Sequence, residues 1–298
     1  MSDFKQSITE LLKKKRPNLS DNSLRSYTST LANLPKKCGL DDSIKSLHNT
    51  EHILKELKDI EPNKRRSIMA ALFVITECPE IKKTMDSDMT ITNKNYRLQK
   101  KSETEKENWV NWNTDVLGKY NEMKQTANAL FKLKTINPDQ LYELSKFVLL
   151  SLYVLMPPRR IVDYSLLKFG KAKNADKDFN YVNKDSIVFN QYKTKKAYGQ
   201  QTFSLPLELQ MILKKWKTYC SSDFVITNRS GDNDGFSSNG ITKMLNNIFE
   251  PKEVSCNLLR HSYITEFLKT DRTLAECDDL AAHMAHSVGQ QTLYKKIG

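Results

Sequence analysis

The sequence predicts a mainly α-helical chain with one small β-sheet, an α+β fold split between a helical N-terminal domain and a larger second domain. Three observations predict it. Only nine Gly and nine Pro are spread over 298 residues, so few points force a break and connections should be short. Apolar residues recur at helical spacing through most of the length. One region alone, just past Pro157–Pro158, changes to β-branched and aromatic runs.

Residues 1–95 read as a helical bundle. "SDNSLRSYTSTLANL" offers a polar cap at Ser20–Asp21, then Leu24, Tyr27, Leu31 and Leu34 on one helical face. "EPNKRRSIMAALFVITECP" carries Pro62 in a first turn, with Ile68, Leu72 and Ile75 aligned behind it. The polar run "YRLQKKSETEKE" has no apolar period, so 96–107 is expected to be a linker. From 108 onward helices are expected through "DQLYELSKFVLLSLYVL". "DSIVFNQY" and "QQTFSLPL", joined by "KTKKAYG", then read as a β-hairpin or small sheet. "LELQMILKKWKTY", "SNGITKMLNNIF", "CNLLRHSYITEFLK" and "TLAECDDLAAHMA" return to helical spacing.

The net charge is +12. Residues 1–100 hold 19 Lys and Arg against 13 Asp and Glu, and the remainder 28 against 22, so each part contributes +6. Two basic parts are what a chain gripping one polyanion needs. The densest clusters are Lys13, Lys14, Lys15 and Arg16, the pair Lys36–Lys37, and Lys64, Arg65 and Arg66. Apart from Lys36–Lys37, these are the candidate phosphate contacts of the first domain. The five cysteines are odd in number and form no CxxC pair, against a disulfide framework or zinc site and for a reducing compartment. No run approaches 18 apolar residues and the N-terminus has no signal-peptide core. The expectation is a soluble intracellular protein with no membrane partner.

Four separated pieces then fall into one order: "PPRRIVDY", "QYKTKKAYGQQTFSLP", "NLLRHSY" and "AHSVGQQTLY". In that order they resemble the tyrosine recombinase (phage integrase) family. Its catalytic domain carries an arginine, a hairpin lysine, a His-x-x-Arg motif, a His or Trp, and a near-terminal tyrosine. The "PPRR…DY" variant looks closest to integrases of virophages and large DNA viruses. Carried over by motif, Arg160 matches the first arginine, Lys193 the hairpin lysine, Arg260 the second arginine, His286 the later histidine and Tyr294 the nucleophile. Asn257 stands where the family has histidine, and His286 precedes Tyr294 by eight residues where nine is commoner, leaving His283 as a rival. Arg159 competes with Arg160, and only the register of Asp163 separates them; on that register Arg159→Ala should disturb cleavage much less than Arg160→Ala. The resemblance implies domains at 1–95 (core-binding) and 108–298 (catalytic), and a homotetramer on double-stranded DNA carrying a specific target site.

The chemistry explains the residue types. Breaking a phosphodiester without a metal needs fixed positive charge at the two nonbridging oxygens, and two arginine forks supply paired donors in set geometry. Asp and Glu are not clustered, the five His are not at ligand spacing, and the resemblance implies neither metal nor cofactor. It further implies that Tyr294 attacks phosphorus, forming a 3′-phosphotyrosyl link and releasing a 5′ hydroxyl, while Lys193 protonates the leaving oxygen. Its neighbours Lys195 and Lys196 are expected to be solvated or to grip the DNA backbone. Two other functions stay open on sequence alone: a type IB topoisomerase-like enzyme, and a DNA-binding protein with a decayed site, which Asn257 keeps open.

Overall fold

The protein is described from a computed structural model over residues 3–165, 167–170, 177–229 and 235–297. It is mainly helical with a single four-stranded mixed sheet, and the chain divides into two compact units at Leu98/Gln99. The first unit contains α1 (Asp3–Lys15), α2 (Asp21–Cys38), α3 (Thr50–Glu56), α4 (Pro62–Thr76) and α5 (Pro79–Arg97). The Ser20 hydroxyl accepts from Ser23 N to cap α2, and Glu61 accepts from Asn63 N and Lys64 N to cap α4. Ile8, Leu12, Leu31, Leu34, Leu72 and Ile75 close the core between them.

The stretch 96–107 departs from the linker expectation. α5 runs on to Arg97, and α6 (Glu103–Asn108) follows at once. Ser102 accepts from Glu105 N while Glu105 accepts from Ser102 N, a capping box that starts a helix having no buried residue of its own. Without an apolar face the helix has no periodic signal; only the S-x-x-E spacing announces it.

The second unit continues through one π-helical turn (Trp112–Val116), α7 (Leu117–Leu130) and α8 (Pro138–Val154). α8 is buried on every side from Leu144 to Tyr153, as its almost unbroken apolar sequence requires. After α9 (Ile161–Ser165) come β1 (Leu167–Phe169), β2 (Asn180–Val182), β3 (Ser186–Phe189) and β4 (Gln201–Ser204). β1 pairs parallel with β2; β2–β3 and β3–β4 are antiparallel, with Val188 opposite Thr202. The expected hairpin is therefore β3–β4, its connection interrupted by the helical turn α10 (Lys195–Tyr198). α11 (Leu207–Lys217), α12 (Ser238–Ile248), α13 (Cys256–Phe267), α14 (Leu274–His283) and α15 (Val288–Tyr294) complete the unit. Among the described residues no helix is long and apolar enough to cross a membrane.

Candidate active site

The C-terminal end of α14 organises the site. A helix end leaves its last carbonyls without partners and carries the negative end of the helix dipole. Here Arg159 Nη1 donates to His283 O at 2.6 Å, Arg260 Nη2 to Met284 O at 3.4 Å and Arg160 Nη1 to Ala285 O at 3.1 Å. Thr194 Oγ1 adds a 2.9 Å bond to Ala285 O, and Gln201 Nε2 a 3.1 Å bond to Ala282 O. Ala285 holds φ at 53°, a left-handed conformation costing an L-residue about 1–2 kcal/mol. The turn is bearable because five donors from distant segments fix the carbonyls around it.

The three arginines differ in what they have left to offer. Arg159 is 2 % exposed, pairs its Nε with Asp163 at 2.7 Å, and spends Nη1 on both His283 O and Gln201 Oε1, leaving only a buried Nη2 without a partner. Its guanidinium lies 3.9 Å from the Phe189 ring centre. Arg160 is half-buried and gives only Nη1, to Ala285 O. Arg260 is fully buried on α13; Nη1 donates to Pro158 O at 2.5 Å, while Nε has no partner. Buried donors without acceptors are costly in a finished core and are what an anion site leaves waiting.

Tyr294 ends α15 within this setting. Its ring stacks on His261 at 4.7 Å and on His286 at 5.5 Å, with the Arg260 guanidinium 5.2 Å from its centre. His261 Nδ1 lies 2.7 Å from Tyr294 O, fixing the backbone as well as the ring. Among the described residues the Tyr294 hydroxyl makes no hydrogen bond. In the sequence His286 matches the later histidine, with His283 as its rival. In the fold His286 stacks on Tyr294, whereas His283 stacks on Phe203 at 4.2 Å.

His286 is 4 % exposed, its Nδ1 lies 3.1 Å from Ser287 O, and its Nε2 is buried without a partner. Burial, then the nearby Arg260 charge, push its pKa down to about 4. A histidine folded at lower pKa contributes stability that is complete above its unfolded pKa near 6.5. That contribution is lost as pH falls through the folded value. The thermal midpoint should therefore drop between pH 6.5 and 4, and His286→Gln should flatten that part of the curve in calorimetric scans. A parallel acid slope in wild type and variant would remove His286 from the account.

The other expected residues are mostly exposed. Asn257 is exposed in the first turn of α13, three residues ahead of Arg260, and makes no side-chain hydrogen bond. Lys193 is exposed, and the site holds its segment through the neighbouring Thr194 bond to Ala285 O. Lys195 and Lys196 are exposed on α10. Lys13, Lys14, Lys15 and Arg16 are exposed at the end of α1, with Lys15 reaching Glu77 at 2.9 Å. Lys64 is exposed and Arg66 donates to Asn63 Oδ1 at 3.1 Å. Arg65 departs from the expectation of a phosphate contact. Its Nε and Nη2 bind the buried Asp88 carboxylate at 2.9 and 2.7 Å, and Nη1 donates to Lys58 O. Its fork is committed inside the bundle.

Two residues of the site were not foreseen. Gln291, 1 % exposed and three residues before Tyr294, has both amide atoms buried without partners; its place on α15 gives no sequence signal beyond the i, i+3 spacing. Glu105 approaches His261 Nε2 at 3.9 Å from the stretch expected to be a linker.

No family model matches the chain and no curated protein matches it. Among solved structures the chain is similar to the crystal structure of XerA recombinase, at 11 % identity and a TM-score of 0.42, over 100 % of this chain and 94 % of that one. At that distance the likeness is silent on chemistry, which rests on the side chains described above.

Proposed function

We propose that this chain is a site-specific tyrosine recombinase that cleaves and rejoins DNA through a 3′-phosphotyrosyl intermediate. One observation supports it above the rest: a tyrosine stacked between two imidazoles and beside a buried guanidinium with an unpartnered Nε. On this reading Arg160 and Arg260 hold the nonbridging oxygens and stabilise the charge that grows on them. Tyr294 attacks phosphorus, expelling the 5′ oxygen, which Lys193 protonates. The covalent link retains the bond energy, so an incoming 5′ hydroxyl from another strand reverses the step. The Asn257 amide can donate to an oxygen but takes up no proton near neutral pH. Lys13, Lys14, Lys15, Arg16, Lys64, Arg66, Lys195 and Lys196 grip backbone phosphates; Arg65 is left out because Asp88 already holds it. The working form on duplex DNA is a homotetramer, and the biological role is insertion of a viral or other mobile element.

The test is covalent trapping on a library of nicked duplexes randomised around the nick, followed by sequencing of the adducts. Enriched flanks and junction formation support a recombinase. Supercoil relaxation without junctions points to a type IB topoisomerase, and duplex binding without adducts to a decayed binder. Arg160→Ala and Arg260→Lys, which keeps charge but loses the fork, should each slow adduct formation about 10²–10³-fold. Duplex affinity measured by fluorescence anisotropy should hardly change. Equal losses of affinity and rate would mean that the arginines bind the ground state and do not serve the transition state.

A further inference from the structure

Residues just past the boundary between the two units are tied to the segment carrying Tyr294. Gln99 Nε2 donates to Thr292 O at 2.7 Å, and Ile297 N donates to Gln99 O at 2.9 Å. Lys100 and Ile297 form an isolated parallel bridge. Gln99 itself holds φ at 55°, a conformation that persists in a non-glycine residue only when its surroundings impose it. Bonds to Thr292 and Ile297 on either side of the tyrosine are what impose it here.

Glu105 is the hub of this arrangement. Its carboxylate accepts from Ser102 N at 2.8 Å and from Lys296 Nζ at 2.9 Å, and lies 3.9 Å from His261 Nε2. Lys296 is 8 % exposed, two residues beyond Tyr294, and its backbone N donates to Thr265 Oγ1 at 2.9 Å. The other imidazole nitrogen of His261 contacts Tyr294 O, and the ring stacks on the tyrosine. One carboxylate thus bonds the ammonium behind Tyr294 and faces the imidazole beside it. Burial alone would raise its pKa, but the Ser102 N–H and the Lys296 ammonium together hold it below the usual carboxylate range. It is ionised at neutral pH, as the geometry needs.

We propose that Gln99–Glu105 is a latch that positions Tyr294 for attack, with Glu105 as the positioning residue acting through Lys296. The proposal rests on Tyr294 being the nucleophile. It also makes the stretch leaving the first unit a mechanical input to the reaction, through the Gln99 bonds to Thr292 and Ile297.

The experiment uses the full chain with Glu105→Gln, Glu105→Asp and Lys296→Met. Glutamine keeps an acceptor for Ser102 N, and so the start of α6, while losing the charge that holds Lys296. Two readouts are taken: amide hydrogen exchange of Gln291–Ile297, and the rate of adduct formation on the nicked-duplex library. Glu105→Gln and Lys296→Met should each speed exchange in that segment about tenfold, the scale of losing a charge-assisted bond. They should slow adduct formation by a similar factor with unchanged duplex affinity, whereas Glu105→Asp, which keeps the charge, should recover most of the rate. Unchanged exchange in the glutamine and methionine variants overturns the latch. Faster exchange with an unchanged rate, or an aspartate variant no better than glutamine, overturns the positioning role. If the wild type forms no adduct on any duplex, the recombinase reading and the positioning role fall together, while the exchange data still decide whether the latch exists.

Discussion

Tyr294→Phe should abolish the protein–DNA adduct and leave duplex binding intact. The substitution removes one oxygen. The ring stays stacked on His261 and His286 beside Arg260, and among the described residues the hydroxyl has no partner to lose, so folding stability should change by less than about 0.5 kcal/mol. Strand cleavage, by contrast, should fall by a factor on the order of 10⁶, the scale seen when an enzyme loses its nucleophile. Adduct persisting in the variant would send the search to Tyr263. That residue packs edge-on against Trp112 at 4.8 Å and has its pKa raised by burial, both marks of a core residue. A mixing experiment extends the test. Because Tyr294 stacks beside Arg260 of its own chain, equimolar Arg160→Ala and Tyr294→Phe proteins should remain inactive together. Activity returning in the mixture would mean that the tyrosine serves a neighbouring protomer's phosphate.

The parts of this molecule that were legible in the sequence are those with a period or a cap. α2 and α4 announce themselves through Ser20 and Pro62 followed by apolar residues at helical spacing, and the fold places both as expected. β3 shows through its β-branched and aromatic run Ile187–Phe189, and β4 through alternation over its four residues. β1 and β2 are three residues long, and β2 is buried throughout, so neither length nor alternation marks them. Residue types at the site were legible as a motif order, but their division of labour was not. Nothing in "PPRR" tells which guanidinium is walled in by Phe189 and which is half-exposed. Likewise Arg65 and Lys64 look alike in a basic run, and only the buried Asp88 across the bundle separates them. Glu105 was hidden for a simpler reason: its partners lie more than 150 residues away in sequence.

Arg159 is where structure most changes the expected outcome of a mutation. Sequence register alone makes Arg159→Ala mild, since Arg160 carries the motif. In the fold Arg159 and Asp163 form an ion pair 2 % and 1 % exposed. Such a pair gains little over apolar residues, yet removing one partner leaves a buried charge alone and typically costs about 3–5 kcal/mol. Arg159→Ala should therefore destabilise the protein by about that amount, and slow cleavage as well, because His283 O loses its donor at the turn that presents His286. The pH dependence carries a sign that separates this cause from simple loss of packing. Burial already raises the pKa of Asp163, with the Arg159 charge opposing it; without Arg159 it rises further. A carboxyl whose folded pKa lies above its unfolded value costs stability when ionised and folds readily when neutral. The deficit of Arg159→Ala should thus be largest at neutral pH and shrink as pH falls through the raised folded value towards the unfolded one near 3.9. Replacing both partners, Arg159→Met with Asp163→Leu, should recover much of the loss and leave little pH dependence. Urea midpoints for wild type, single and double variants at pH 7 and pH 5 decide the matter. A single-variant deficit equal at both values, or a double variant no better than the single, would show that Arg159 contributes through its contacts with Phe189 and Gln201, and that the ion pair with Asp163 does not set the cost.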